Sequence, residues 1–160
     1  MSKIGPTLSK WHPAMLLATW FGSGFSRYAP GTFGSLTALP FAWLIATAWG
    51  GESLVLAAGL MFCVGCIVCK IVMRSLGEKD PQIIVVDEVA GQWLALSTAP
   101  IEPLYYILGF VLFRIADIWK IWPASWVDNR VPGELGVMLD DVIAGAYAAI
   151  MVFLIVLIAE

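Results

Sequence analysis

No charged residue occurs between Tyr28 and Gly51, between Ser53 and Cys69, or between Val142 and Ala159. A membrane-crossing helix needs about 20 mostly apolar residues, and these runs approach or exceed that length. The chain has 160 residues, 60% hydrophobic and 13% charged, against roughly 45–50% and about 25% in ordinary soluble domains. A single domain of this size cannot hide that much apolar surface from water. The last run, Val142 to Ala159, is apolar nearly all round, which the surface helix of a soluble domain would not tolerate. The expectation is one all-α domain over residues 1–160, a polytopic helical membrane protein embedded in the bilayer.

Two shorter uncharged segments, Val89 to Ile101 and Pro103 to Phe113, lie between the long ones. Each reaches spanning length only by drawing Asp87 and Glu88, or Arg114 and Asp117, into the membrane boundary, where ionisable groups are costly and mark function. About five membrane-associated helices are therefore expected, the third only partly spanning. In the first, helix should begin near Gly34, after a Gly/Pro-rich turn.

Orientation follows from the cations. Lys3, Lys10 and Arg27 precede the first span, Lys70, Arg74 and Lys79 follow the second, and Arg114, Lys120 and Arg130 surround the end of the fourth. Placing those three regions in the cytoplasm puts every Lys and Arg inside and leaves Glu52, Glu102 and Glu160 outside, a strong positive-inside pattern. The N-terminus is then in and the C-terminus out.

Other features are structural by this reading. Cys63, Cys66 and Cys69 are spaced along one side of an apolar helix, with no fourth Cys to complete a thiolate site, and read as small packing residues. No secretory signal peptide is recognisable at the N-terminus. His12, the only histidine, stands apart from the polar clusters and reads as interfacial. Trp119, Trp122 and Trp126 read as interfacial anchors. No basic tract suggests nucleic acid.

The topology gathers three polar clusters at the cytoplasmic helix ends. Gly22 to Arg27 leads into Pro30-Gly-Thr-Phe-Gly-Ser35, where glycines and free N–H groups ahead of an apolar helix suit a phosphate. Asp87-Glu88 closes an apolar run, and adjacent carboxylates there are expensive unless paired or metal-bound. Arg114, Asp117 and Lys120 recur at i, i+3, i+6 on one helix side, followed by Asp128, a Gly133/Gly136 turn, and Asp140-Asp141 opening the last helix. Asp87, Glu88, Asp117, Asp128, Asp140 and Asp141 are half of the 12 acids in the protein. Carboxylates without His or Cys point to a hard, oxygen-loving ion, Mg²⁺ above all. The Arg and Lys beside them match the charge neutralisation that phosphoryl transfer requires.

Four ordered motifs resemble one family. They are Pro30-Gly-Thr-Phe-Gly-Ser-Leu36, Ile84-Val-Val-Asp-Glu88, Phe113-Arg-Ile-Ala-Asp-Ile-Trp-Lys120 with Trp122-Pro123, and Gly136-Val-Met-Leu-Asp-Asp141 with Ala144-Gly145. Together they resemble the bacterial phosphatidylglycerophosphatase A family from about Trp11 to about Ala149. The resemblance implies an all-helical, Mg²⁺-dependent phosphatase of the bacterial inner membrane, its site facing the cytoplasm. The reaction implied removes the terminal phosphate of phosphatidylglycerophosphate to give phosphatidylglycerol, a precursor of cardiolipin. Ile121 stands where the family usually has Pro, and Pro132-Gly133-Glu134 replaces a usual Gly-Gly pair; both departures lie in the loop, away from the acids.

On this reading Asp87, Glu88, Asp140 and Asp141 hold Mg²⁺, with Asp128 as a further ligand. Asp87, Glu88, Asp117 and Asp141 carry the chemistry, whether by water activated at the ion or by a carboxylate such as Asp117. Arg27, Thr32, Ser35 and Lys120 grip the phosphate. Three alternatives stand beside it. A phosphatase of another lipid, such as a prenyl phosphate, fits the same motifs. A CDP-alcohol phosphotransferase would need an Asp-Gly, Ala-Arg and spaced-Asp pattern that the sequence lacks. A small cation transporter would want acids near the bilayer midplane.

Overall fold

The structure, a computed structural model, describes residues 8 to 159; Lys3 and Glu160 lie outside them. The described residues contain only helices and turns: α1 (Pro13–Ala18), α2 (Pro30–Trp49), α3 (Ser53–Leu76), α4 (Val86–Leu96), α5 (Pro103–Trp119), α6 (Ala124–Arg130) and α7 (Glu134–Ala159). Proline opens α1, α2 and α5, where its fixed φ suits the first turn and its missing N–H is not needed. α3 ends on Gly77 at φ 70°, whose N–H donates to the Met73 carbonyl, a left-handed cap that glycine adopts freely.

Three helices, α2, α3 and α7, are long and apolar enough to cross a membrane. About five membrane-associated helices were expected, the third only partly spanning, and the smaller number able to cross has a physical reason. α4 has 11 residues, roughly 16 Å of helix, too short to span. It is instead the central post, enclosed by α2, α3, α5 and α7, with nine of its residues buried. A helix wrapped by protein on every side needs no membrane-matched length. α5, with 17 residues, carries Arg114 and Asp117 near its end.

The long helices also begin and end beyond the uncharged runs. α2 starts at Pro30 rather than Gly34, and α3 continues through Lys70 and Arg74. α7 starts at Glu134, not Val142, its first residue paired with Lys70 of α3 at 2.9 Å. Asp140 and Asp141 therefore lie well inside the helix instead of opening it.

The outer surface is apolar, inverting the usual arrangement. Leu56, Leu60 and Ile67 on α3, Leu104, Ile107 and Ile118 on α5, and Leu157 and Ile158 on α7 are all exposed. Apolar faces of this extent mark contact with lipid or another apolar partner. The interior of the bundle is built from small residues. A Cβ added to Gly145 of α7 would collide with the carbonyl of Gly91 in α4, and one at Gly91 would meet the Asp141 carbonyl oxygen at 2.5 Å. The two backbones thus touch directly, the close approach that small residues permit between apolar helices. Cys69 is buried with its sulfur 3.9 Å from that of Met138, the packing role expected of it, while Cys63 is exposed. Trp119, Trp122 and Trp126 are exposed, as interfacial anchors should be.

Candidate active site

The first turn of α4 is placed by the segment before it. The Val85 N–H donates to the Ala18 carbonyl at 2.8 Å, fixing the end of α1 against the start of α4. Asp87 and Glu88 occupy that first turn, where the positive end of the helix dipole favours carboxylates. The Glu88 N–H donates to Asp87 Oδ1 at 2.9 Å. Asp140 and Asp141 repeat this pairing on α7, the Asp141 N–H donating to Asp140 Oδ1 at 3.1 Å.

The crossing of α4 and α7 brings the two pairs together. One carboxylate oxygen each from Asp87, Glu88 and Asp141 lies within 4.8 Å of the others. Asp87 and Asp141 are 8% and 4% exposed, so this negative charge is gathered where water screens it poorly. Glu88 Oε2 is buried and, among the described residues, has no hydrogen-bond partner. The arrangement is costly by itself and suits a bound cation.

α5 supplies the positive charge. Arg114 Nη1 is 2.7 Å from Asp117 Oδ2, both side chains largely buried, and it donates to Ser35 Oγ at 3.3 Å. Lys120 ends α5 in the left-handed region, φ 43°, which turns its ammonium towards Asp128 at 2.6 Å and Asp140 at 2.8 Å. Partial burial works against the charge on Lys120, but the bonds to Asp128 and Asp140 outweigh it and push its pKa up. A non-glycine residue at positive φ stores strain, and here it aims a charge into the site.

These groups line one cavity of about 780 Å³. Of the residues expected from sequence, Asp87, Glu88, Asp117, Lys120, Asp128, Asp140 and Asp141 all face it. Within that set, Asp128 and Asp140 are engaged by Lys120, whereas Asp87, Glu88 and Asp141 form the metal-competent trio. The expected phosphate grip is arranged differently. Arg27 is exposed and, like Thr32, is absent from the cavity wall. Ser35 is fully buried behind Arg114, its hydroxyl donating to the Gly31 carbonyl at 2.9 Å. The segment reaches the cavity through Ala29, Pro30 and Gly31 instead, because α2 starts one turn earlier than expected.

Arg114 stood out from sequence as a costly boundary cation but was given no role in gripping phosphate. Its i, i+3 relation to Asp117 also describes a self-neutralising surface ladder, and spacing alone does not tell the two apart. Gly31, noted only as part of the glycine-rich segment, is tightly packed: a Cβ there would collide with the Glu88 carboxylate and lie 3.4 Å from Arg114 Nη1. Gly31→Ala should therefore lower activity at least tenfold by displacing Glu88. Gly59→Ala, where an added Cβ meets nothing within 4 Å, should leave activity and stability near the starting values. Rates and unfolding curves of the two purified variants check the pair.

Residues 16–156, nearly the whole chain, match the family model for phosphatidylglycerophosphatase A. The chain belongs to the phosphatidylglycerophosphatase A family. It is 42% identical to phosphatidylglycerophosphatase A of Escherichia coli (strain K12), covering 91% of this chain and 83% of that protein. It is 36% identical to phosphatidylglycerophosphatase A of Haemophilus influenzae, covering 92% and 91%. A Bacteroides thetaiotaomicron protein with the provisional name phosphatidylinositol-3-phosphatase is 38% identical, covering 86% and 90%. No solved structure matches the chain. Membership of a phosphatase family makes the chain an enzyme.

Proposed function

We propose that the chain is a Mg²⁺-dependent phosphatase that hydrolyses phosphatidylglycerophosphate to phosphatidylglycerol and inorganic phosphate, at the cytoplasmic face of the bacterial inner membrane. The observation that carries this reading is the trio of Asp87, Glu88 and Asp141, two of them buried and Glu88 partly so, beside Arg114, in a chain of this family. The trio fits a hard divalent ion: all donors are carboxylate oxygens, and one of them, Glu88 Oε2, lacks any partner among the described residues. Bound there, Mg²⁺ would offset phosphate charge and stabilise the more negative transition state.

The chain's own groups do the rest. Arg114, its Nη1 held by Asp117 and Ser35, supplies positive charge to offset that of the phosphate. Gly31, in the first turn of α2, lines the same cavity, and a free N–H at a helix start suits a phosphate oxygen. Asp117, 2.7 Å from Arg114, accepts the proton of the attacking water. The new P–O bond forms as the bond to the terminal glycerol oxygen breaks, and that oxygen takes a proton to become the hydroxyl of phosphatidylglycerol. Lys120 keeps Asp128 and Asp140 in place around the site.

Charge distribution supports the orientation. Lys79, Arg114, Lys120 and Arg130 line the acid cavity. Glu52 belongs to the opposite end, where a Cβ on Gly51 would lie 3.3 Å from the Ser97 carbonyl oxygen just past α4. Cations on the acid side agree with a cytoplasmic site. The name of the Bacteroides relative favours, as a second reading, another lipid phosphomonoester.

Phosphate release by detergent-solubilised protein tests both. The substrates are phosphatidylglycerophosphate, phosphatidylinositol 3-phosphate, phosphatidic acid and a prenyl phosphate, each with Mg²⁺ and with chelator. Release confined to phosphatidylglycerophosphate and abolished by chelator is expected. Release from a different lipid would change the substrate, and folded protein inert towards all four would overturn the reading.

A further inference from the structure

The cavity has an outer belt that this chemistry leaves unused. Lys79, in the loop between α3 and α4, and Arg130, the last residue of α6, reach it from opposite loops. Both are exposed, and among the described residues neither forms an ion pair, whereas Arg114 and Lys120 are each bound to carboxylates. The amides of Gln82 and Asn129 also line the cavity, and its exposed acids are Asp80 and Asp128, the latter held by Lys120. The other five carboxylates, Asp87, Glu88, Asp117, Asp140 and Asp141, are buried or partly buried. The two unpaired cations of the cavity are thus its exposed ones.

We propose that Lys79 and Arg130 form a second anion subsite, which holds the phosphodiester of the lipid headgroup while the terminal phosphate sits at the acid trio. The inference rests on the lipid-phosphatase reading above. A substrate entering terminal phosphate first leaves its diester one glycerol behind, at the cavity mouth and next to the bilayer. An acidic floor repels a polyanion, so cations at the mouth are needed to draw the headgroup in. The guanidinium of Arg130 matches a diester through paired N–H donors, and Lys79 adds a mobile point charge. Both are unpaired and hydrated, so they can exchange water for phosphate without breaking a protein ion pair. Scattered cations at a membrane surface would not converge on one cavity from two separate loops. The subsite makes the enzyme selective for lipids with two phosphates over those with one.

The test compares wild type with the double variant Lys79→Ala/Arg130→Ala, both checked for unchanged unfolding curves. For phosphatidylglycerophosphate, KM should rise at least tenfold while kcat stays within about threefold. Direct binding is read separately with short-chain phosphatidylglycerol, which carries only the diester, and with inorganic phosphate, which carries none. Affinity for the first should fall at least tenfold and for the second less than twofold; Arg130→Lys should recover part of the loss. Equal weakening of both ligands, or a fall confined to kcat, would overturn the subsite, as would unchanged phosphatidylglycerol binding. Wild type that fails to turn over phosphatidylglycerophosphate would sink the substrate assignment, and the binding measurements would still decide the subsite.

Discussion

Asp141→Asn should lower kcat for phosphate release roughly a thousandfold, the scale of removing a preorganised electrostatic group, while making the metal-free protein more stable. The two effects have one cause. Asp141 shares a space no wider than 4.8 Å with Asp87 and Glu88, and it is almost fully buried. Like charges at that separation repel by roughly 3 kcal/mol per pair at an effective dielectric near 20. Asparagine keeps the shape and removes the charge, so the repulsion falls and the cation site goes with it. In thermal unfolding, Mg²⁺ should raise the midpoint of wild type, because it binds only the folded form, and leave that of Asp141→Asn unmoved. Without metal the order should invert, the variant melting higher. Near-normal activity would show that the trio is not the site; a variant less stable without metal would show that the carboxylates are not held under strain.

Arg114→Ala should lose both function and stability. Arg114 lines the cavity with the trio, paired with Asp117 at 2.7 Å and donating to Ser35. Both partners of the pair are well under one-fifth exposed. Truncating one member of a buried pair leaves the other uncompensated and costs roughly 3–5 kcal/mol. The stranded Asp117 would add an uncompensated carboxylate to a wall that already holds six other acids. Removing that charge too, in Arg114→Ala/Asp117→Asn, should restore most of the stability and none of the activity. Arg114→Lys should fold, yet kcat/KM should remain at least tenfold down, because an ammonium cannot reproduce the planar fork. Denaturant unfolding and steady-state rates on the three variants separate these contributions. Full activity in Arg114→Lys would mean that only charge is needed at this position.

Much of the site was legible in the chain because membrane segments are so poor in charge. Against that background Asp87-Glu88 and Asp140-Asp141 stand out, and the cation pattern places their helix ends on one side. The seven residues from Asp87 to Asp141 that reach the cavity were all visible in this way. The helix count was not, since whether α4 spans depends on what encloses it. Its 11 residues look like a truncated span until α2, α3, α5 and α7 are seen around it. Helix starts were missed for a related reason: a charge ends an apolar run but need not end a helix. Lys70 and Glu134 pair across α3 and α7, so both helices continue past the last apolar residue. The glycine-rich segment that opens α2 shows the third limit. Glycine and hydroxyl content marked it as a candidate, but one turn of helix decides which residues face the cavity, and Gly31 does so while Thr32 and Arg27 do not.

The contact of Gly91 with Gly145 also says where this enzyme can move. Asp87 and Glu88 stand one turn before Gly91, and Asp141 one turn before Gly145. With backbone against backbone, neither helix can slide or roll without a steric clash, so the floor of the site behaves as a single rigid piece. On the proposed reading, admission of a headgroup and escape of phosphate would fall to the exposed or partly exposed rim segments, residues 77–80 and 131–133, which carry no helix of their own. Catalytic geometry and traffic are thereby assigned to different parts of the chain, and a change in the rim can retune turnover without disturbing the spacing of the acids.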